Sequence, residues 1–343
     1  SDGWKFFNFL RLLLYSVFYI LYSVTGFRPA MIHEAPMPDT LQFLEMPNAP
    51  TNKADVLLLP IPLERTVSFK PGTADAPRAI LDTSVQLEFH EEDAGWSPFK
   101  HMLLSVLPEF ADDNTVTDAK LHQMLTEMVA TLPSNNLFIG LGGEHSLTPS
   151  LVHARMPEPG TVLFLDAHAD MRTSYAGSSY NHACPVSRLL DQGHMIVMGG
   201  IRSLYESEVD LIEKESRISL FLDWDLHGKG QWEAFLQKVN SLEGPVYLSI
   251  DMDVFNPAVV PGVGTPQPGG FLWYQMIELL ESLFSRKTID LRGVDIVELV
   301  PEPSRVSEMT AAKLLLKIIS FWGYANGFNL KPQAGSQTLI EYE

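Results

Sequence analysis

The sequence predicts a three-layer α/β/α fold with a mostly parallel central sheet, on two observations. Short apolar runs rich in strand-forming residues recur along the chain, and stretches of helical character separate them. The runs are continuously apolar, the pattern of strands covered by helices on both faces. In order, strands are expected at 55–60 (DVLLLP), 136–140 (NLFIG), 161–165 (TVLFL), 195–199 (MIVMG), 219–222 (SLFL), 246–250 (VYLSI) and 293–297 (GVDIV). Helices are expected at 118–132, 147–155, 186–192, 203–214, 231–241, 272–284 and 311–322. No internal repeat or low-complexity linker divides the chain. The Pro/Gly-rich stretch 257–270 is flanked by chemistry-bearing residues and reads as a functional loop.

The chain has 343 residues, 45% of them hydrophobic, enough for one large core or a core with a small addition. Its 42 acidic and 24 basic residues leave a formal charge of −18. Such a surface argues against nucleic-acid partners and anionic membranes and suits small cations. Cys184 is the one cysteine. It excludes an intrachain disulfide and a cysteine zinc cluster, and indicates a reducing, cytoplasmic setting. Its proximity to His182 raises a Cys–His nucleophile, against which a small buried thiol is the expected state.

Residues 1–30 read as an apolar extension, and 31–343 as a single catalytic domain. Segment 6–27 (FFNFLRLLLYSVFYILYSVTGF) is dense in aliphatic and aromatic side chains. Its uncharged part, 12–27, falls short of the ~20 residues of a spanning helix. A membrane-associating helix, an arm packed on another subunit and a non-native extension are the three readings, with the last favoured. A membrane partner is expected only if the extension is native.

Four segments share one design, a strand ending in ionisable residues. LFIGLGGEHS ends in Glu144 and His145; TVLFLDAHAD in Asp166, His168 and Asp170; PVYLSIDMD in Asp251 and Asp253; GVDIVE in Glu298. Carboxyl ends of parallel strands form the ligand crevice of open α/β sheets. Asp166, His168 and Asp170 alternate at every second position, so an extended backbone aims them the same way, as it does Asp251 and Asp253. So many carboxylates together require cations. The four aspartates balance two divalent ions and not one, and hard oxygens with two imidazoles suit manganese better than zinc. A lone strand-end Asp usually caps a helix, and a lone His is usually an ordinary core residue; DAHAD beside SIDMD is not explained that way. His90, His101, His122, His153 and His194 lack partners at ligand spacing and read as ordinary histidines. Glu91, Glu92 and Asp93 read as a solvated charge run, and Ser146 as a helix N-cap.

GGEHS, DAHAD, SIDMDVFNPAVVPGVGTPQPGG and VDIVELVPEPS, in this order, resemble the ureohydrolases: arginases, agmatinases, guanidinobutyrases and formimidoylglutamases. TVSFKPGTADAPRAI and GIRSLYESE extend the resemblance, which spans roughly residues 55–321. It implies two Mn2+ held by His145, Asp166, His168, Asp170, Asp251 and Asp253, with Asp166 and Asp251 bridging. It implies that Glu298 receives a guanidinium and that His182 carries a proton to the leaving amine. Two departures are Asn256, where the family often has Asp, and Glu144, where many members have Asp. The loop 171–181 (MRTSYAGSSYN) resembles that of agmatinases, with Arg172, Ser178 and Asn181 as candidate substrate contacts. The implied reaction releases urea and putrescine from agmatine, a small cationic guanidino substrate. Guanidinobutyrate, arginine and formimidoylglutamate are the alternatives. The resemblance also implies homotrimers or homohexamers. Two rivals from other classes are a single-zinc deacetylase of related fold, against which His145 and Asp170 count, and a catalytically silent regulator of polyamine enzymes, against which the full ligand set counts.

Overall fold

A computed structural model describes residues 40–285 and 289–334. The apolar extension, and the domain boundary expected there, lie outside the described residues. Eight strands form one sheet: β1 Val56–Ile61, β2 Leu104–Val106, β3 Leu137–Gly142, β4 Thr161–Leu165, β5 Met195–Ile201, β6 Ile218–Leu222, β7 Gly244–Asp251 and β8 Ile289–Val297. Their order is β2-β1-β3-β8-β7-β4-β5-β6, and each neighbouring pair is parallel.

The helices are α1 Ala76–Ser84, α2 Asp118–Ala130, α3 Thr148–Arg155, α4 Pro185–Asp191, α5 Glu206–Lys214, α6 Asp223–Gly228, α7 Trp232–Asn240, α8 Trp273–Phe284 and α9 Val306–Ala325. Successive strand residues alternate between two cores. Val56, Leu58, Leu248, Ile250 and Ile296 pack with α1, α7, α8 and α9 on one face. Leu57, Leu59, Phe164, Tyr247 and Val297 pack with α2, α3 and α4 on the other. Burial on both faces is why the strands read as continuous apolar runs.

All seven expected strands and all seven expected helices are present. The reading placed no element at β2, α1 or α6, started α5 early, and started β8 and α9 late. The expectation of a solvated run at Glu91–Asp93 holds for Glu92 and Asp93, which are exposed, and is corrected at Glu91. Glu91 and the α9 residue Lys317 are both 0% exposed. The Lys317 ammonium is paired with Glu91 and Asp93 and lies 3.2 Å from Glu92. Burial pushes the Glu91 carboxyl up, but the Lys317 hydrogen bond and the Ala94 and Asp93 N–H groups hold it below its usual range. Among the described residues no helix is long and apolar enough to cross a membrane.

Candidate metal centre and active site

Every strand-end residue singled out in the sequence comes from four contiguous central strands, β3, β8, β7 and β4. The GGEH turn after β3 requires its glycine: a Cβ on Gly143 would lie 2.0 Å from the Leu63 carbonyl oxygen. Gly143 N–H donates to Ile61 O and Glu144 N–H to Leu63 O, folding the turn against the end of β1.

Three aspartates each use Oδ1 to accept a backbone N–H. Asp166 accepts from His168 (2.6 Å), Asp251 from Asp253 (2.7 Å) and Asp253 from Ala167 (3.0 Å). These bonds fix the carboxylates and cross-link the β4 and β7 ends. His145 Nδ1 then lies 3.1 Å from Asp166 Oδ2, 3.2 Å from Asp251 Oδ2 and 3.5 Å from Asp170 Oδ2. His168 Nδ1 lies 2.9 Å from Asp253 Oδ2 and 3.6 Å from Asp166 Oδ1. Asp166 therefore stands between two donor groups, His145/Asp166/Asp251 and Asp166/His168/Asp253, and the atoms of each lie within 4.8 Å of one another.

These residues fit a pair of cations. His145 Nδ1 and Asp166 Oδ2 are buried without a hydrogen bond although close to each other, a condition rare for buried polar atoms and relieved by an ion between them. Burial, reinforced by neighbouring carboxylates, drives Asp251 and Asp170 well above the usual carboxylate range. Burial also opposes charge on His168, yet Asp253 and Asp166 push it up to about 12. As a set the cluster calls for added positive charge.

Glu298 follows β8 with φ 62°, the left-handed region, which a non-glycine residue occupies at a cost. Its N–H donates to Gly143 O at 2.8 Å, and its Oε1 accepts the His145 N–H at 2.7 Å. Burial pushes its carboxyl up to about 8, with the Glu144 charge adding to the effect. Glu298, Asp251, Asp170, His168 and His182 line one cavity of about 240 Å³. His182 is held by Thr66: its N–H donates to Oγ1 at 3.0 Å, and Nδ1 lies 2.9 Å from the same atom. Burial pushes the imidazole down to about 4, so it is neutral at pH 7.

The candidate substrate contacts divide. Arg172 lines the cavity, its guanidinium over the rings of Tyr175 (4.7 Å) and Tyr205 (4.4 Å). Ser178 and Asn181 do not line it. Ser178 Oγ accepts from Tyr180 N–H and donates to Asp118, and Asn181 Oδ1 accepts from Ala183 N–H. Both accept N–H groups of the loop's own turns, as short polar side chains often do, and Ser178 also ties the loop to the start of α2. Cys184 is buried, and burial raises its thiol, the opposite of an activated nucleophile. Ser146 is not a helix cap; it donates to Glu144.

Several residues at the site had no role assigned from the sequence. Glu144 accepts the Arg65 and Thr66 N–H groups at 2.7 and 2.6 Å, anchoring the segment that holds His182. Buried Glu208 accepts the N–H groups of Met171 and Tyr205. Arg202 donates to the carbonyls of Asp253, Phe255 and Gln267, among others. Thr66, Arg202 and Glu208 all lie in the two stretches noted as extending the resemblance, the one available pointer to them.

Fold and site define an α/β protein with a cation-binding crevice at the carboxyl ends of its central strands. The Arginase family pattern matches residues 54–320. The N(1)-aminopropylagmatine ureohydrolase of Synechocystis is 36% identical over 294 residues, covering 82% of this chain and 94% of that relative. The agmatinase of Pyrococcus horikoshii is 34% identical, covering 80% and 95%. The crystal structure of agmatine ureohydrolase from Thermoplasma volcanium superimposes with a TM-score of 0.72 at 29% identity, covering 84% of this chain and 95% of that one. The chain belongs to the arginase family, the ureohydrolases, and is a hydrolase acting on amidino C–N bonds.

Proposed function

We propose that this chain is a binuclear manganese hydrolase releasing urea from agmatine or an N-alkylated agmatine. The observation that carries the reading is the pair of His/Asp donor groups sharing Asp166 and opening, with Glu298, on one cavity. His145, Asp166, Asp170 and Asp251 would hold one ion, and Asp166, His168, Asp251 and Asp253 the other. When bound, the cations supply hydroxide at neutral pH and offset charge that develops in the transition state. Glu298, its carboxyl raised to about 8 by burial, gives up its proton as the planar guanidinium pairs with it, and orients the central carbon, turning binding into attack geometry. His182, neutral at rest and fixed by Thr66, would take up the proton released by the attacking water and deliver it to the departing amine.

The substrate rests on the names of the relatives and on the cavity wall. Beyond the ligands Asp170 and Asp251, that wall carries the carboxylate of Glu208, which also accepts the Met171 and Tyr205 N–H groups. Arg172 has its charge engaged by two tyrosine rings. An amine at the far end of the substrate suits such a lining. Arginine adds an α-carboxylate, and failing to match its hydrogen bonds costs several kcal/mol, on the order of a thousandfold. The expected kcat/KM for agmatine or aminopropylagmatine exceeds that for arginine by at least roughly a hundredfold. Arg172 in the wall supports a second reading, a guanidino acid such as 4-guanidinobutyrate. Urea release from these four compounds, measured side by side on the manganese-loaded protein, decides. A win for guanidinobutyrate or arginine overturns the agmatine reading, and no urea from any of them overturns the reaction. The same reading carries a homotrimer or homohexamer in a cytoplasmic setting, the oligomer being measurable by sedimentation.

A further inference from the structure

Beneath the cluster, on the sheet face covered by α2, α3 and α4, three buried polar side chains form an unbroken line. His145 Nε2, the ring atom turned away from the carboxylates, lies 2.9 Å from Ser249 Oγ. Ser249 Oγ donates to Asp295 Oδ1 at 2.6 Å. All three residues are 0% exposed.

The sheet dictates this placement. Ser249 and Asp295 are register partners on the parallel strands β7 and β8, so their side chains share a face. Asp251, two residues beyond Ser249, emerges on that face as well. Phe164 is the register partner of Ser249 on β4, and the His145 ring lies flat on it, centroids 4.6 Å apart and planes at 1°. The imidazole is thus fixed in plane by Phe164 and in rotation by Ser249.

A hydroxyl has one proton. Ser249 gives its proton to Asp295, so its contact with Nε2 is as acceptor, and the imidazole proton sits on Nε2. With a cation held by Asp166 and Asp251, Nδ1 would be the ring atom left to face it. We infer that Ser249 and Asp295 are positioning residues that hold His145 in the Nε2–H tautomer and thereby set the affinity of the His145 end of the centre for a divalent cation. The inference rests on His145 being a ligand. His168 lacks this support: its Nε2 faces only the Gln267 amide nitrogen, at 3.4 Å, and its side chain is 22% exposed. The relay therefore acts on one ion of the two.

Two measurements test it. In the cadmium-loaded full chain with nitrogen-15 histidine, NMR should show His145 Nδ1 coupled to the metal and Nε2 carrying a proton shielded from exchange. In calorimetric titration with Mn2+, S249A should weaken one site tenfold to a hundredfold, the usual effect of losing a ligand's outer hydrogen bond, and spare the other. A coupled Nδ1 whose Nε2 proton exchanges freely with water overturns the relay. So does an S249A protein in which neither affinity falls, or both fall alike. No metal coupling at His145 removes the ligand assignment itself, a separate outcome. The NMR measurement needs no substitution, so it decides even if S249A does not fold.

Discussion

Glu298 combines a left-handed backbone with a hydrogen bond to the peptide that carries His145. Its acceptor role and its charge can be separated. In E298Q the amide oxygen can still take the His145 N–H, so the turn persists while the charge facing the guanidinium is gone. Losing one partner of a buried ion pair costs about 3–5 kcal/mol, a hundredfold to a few thousandfold. We expect kcat/KM to fall by that factor with both manganese ions retained by metal analysis; loss of an ion would make Glu298 a ligand instead. H182A should slow turnover, with small imidazoles restoring part of it, whereas unchanged turnover would leave His182 without a role. The strand-end ligands were legible because DAHAD and SIDMD crowd ionisable residues at the ends of apolar runs; the extended backbone expected there is not what aims them, since Asp170 has φ 49° and Asp253 lies in a short helical turn after β7. Thr66 was not, since its partner His182 lies 116 positions away, and a threonine before an apolar residue has no distinguishing pattern. Ser249 and Asp295 lie inside quoted motifs, but their pairing follows from strand register, which one sequence does not display. Ser178 and Asn181 show the reverse: a polar loop beside a site invites a substrate role, and local turn bonds take up the side chains.

Helix α9 shows how an element conceals its chemistry. It is buried over most of its length and carries Lys317 into the core, where the turn at Glu91–Asp93 surrounds the ammonium. Trp96 adds a hydrogen bond to Ser320, one turn along the same helix. K317M would leave Glu91 buried and unpaired, at a cost of about 3–5 kcal/mol. Urea unfolding should show that loss; a midpoint near that of the parent chain would mean the turn reorganises into water. Between α2 and α3, His122 Nδ1 meets Ser150 Oγ at 2.9 Å, and burial pushes the imidazole down to about 3. The unfolded chain therefore binds this proton more readily than the folded one. The stability is fully present above about pH 6.5 and is lost as pH falls toward 3, about 2 kcal/mol of it between 6.5 and 5. H122N should flatten that slope in unfolding measured across the range. The elements absent from the reading are short or masked by polarity. Strand β2 has three residues, α6 has six, and α1 has a proline as its second residue. Strand β8 begins with Ile289, Asp290, Leu291 and Arg292, none of them fully buried and two of them charged, so only its buried end read as a strand.

At the scale of the molecule, the centre gathers the ends of β3, β8, β7 and β4, the middle of the sheet, in a chain already carrying −18. His145, Asp166, Asp251 and Asp253 are almost fully buried, and burial works against charge on each aspartate. Without cations the cluster must take up protons or bear its own repulsion; with them, three separate strand ends are held to one point. Ion binding and folding are therefore coupled. A cation held only by the folded state at a hundredfold its dissociation constant adds about 2.7 kcal/mol. Two ions acting independently add about 5 kcal/mol. For a domain somewhat above 250 residues each kcal/mol shifts the midpoint by about 2 °C. Chelation should thus lower Tm by roughly 10 °C, and added Mn2+ should restore it along a curve that depends on its concentration. Differential scanning calorimetry on the chelated and reloaded full chain reads this directly. Mg2+ at equal concentration should recover less, because it demands near-ideal octahedral oxygen geometry and gives up its waters reluctantly, whereas this centre offers two imidazoles. A Tm indifferent to Mn2+ at saturating concentration would mean that the carboxylates are neutralised by their own protons and the facing imidazoles, and that the binuclear reading of the site is wrong.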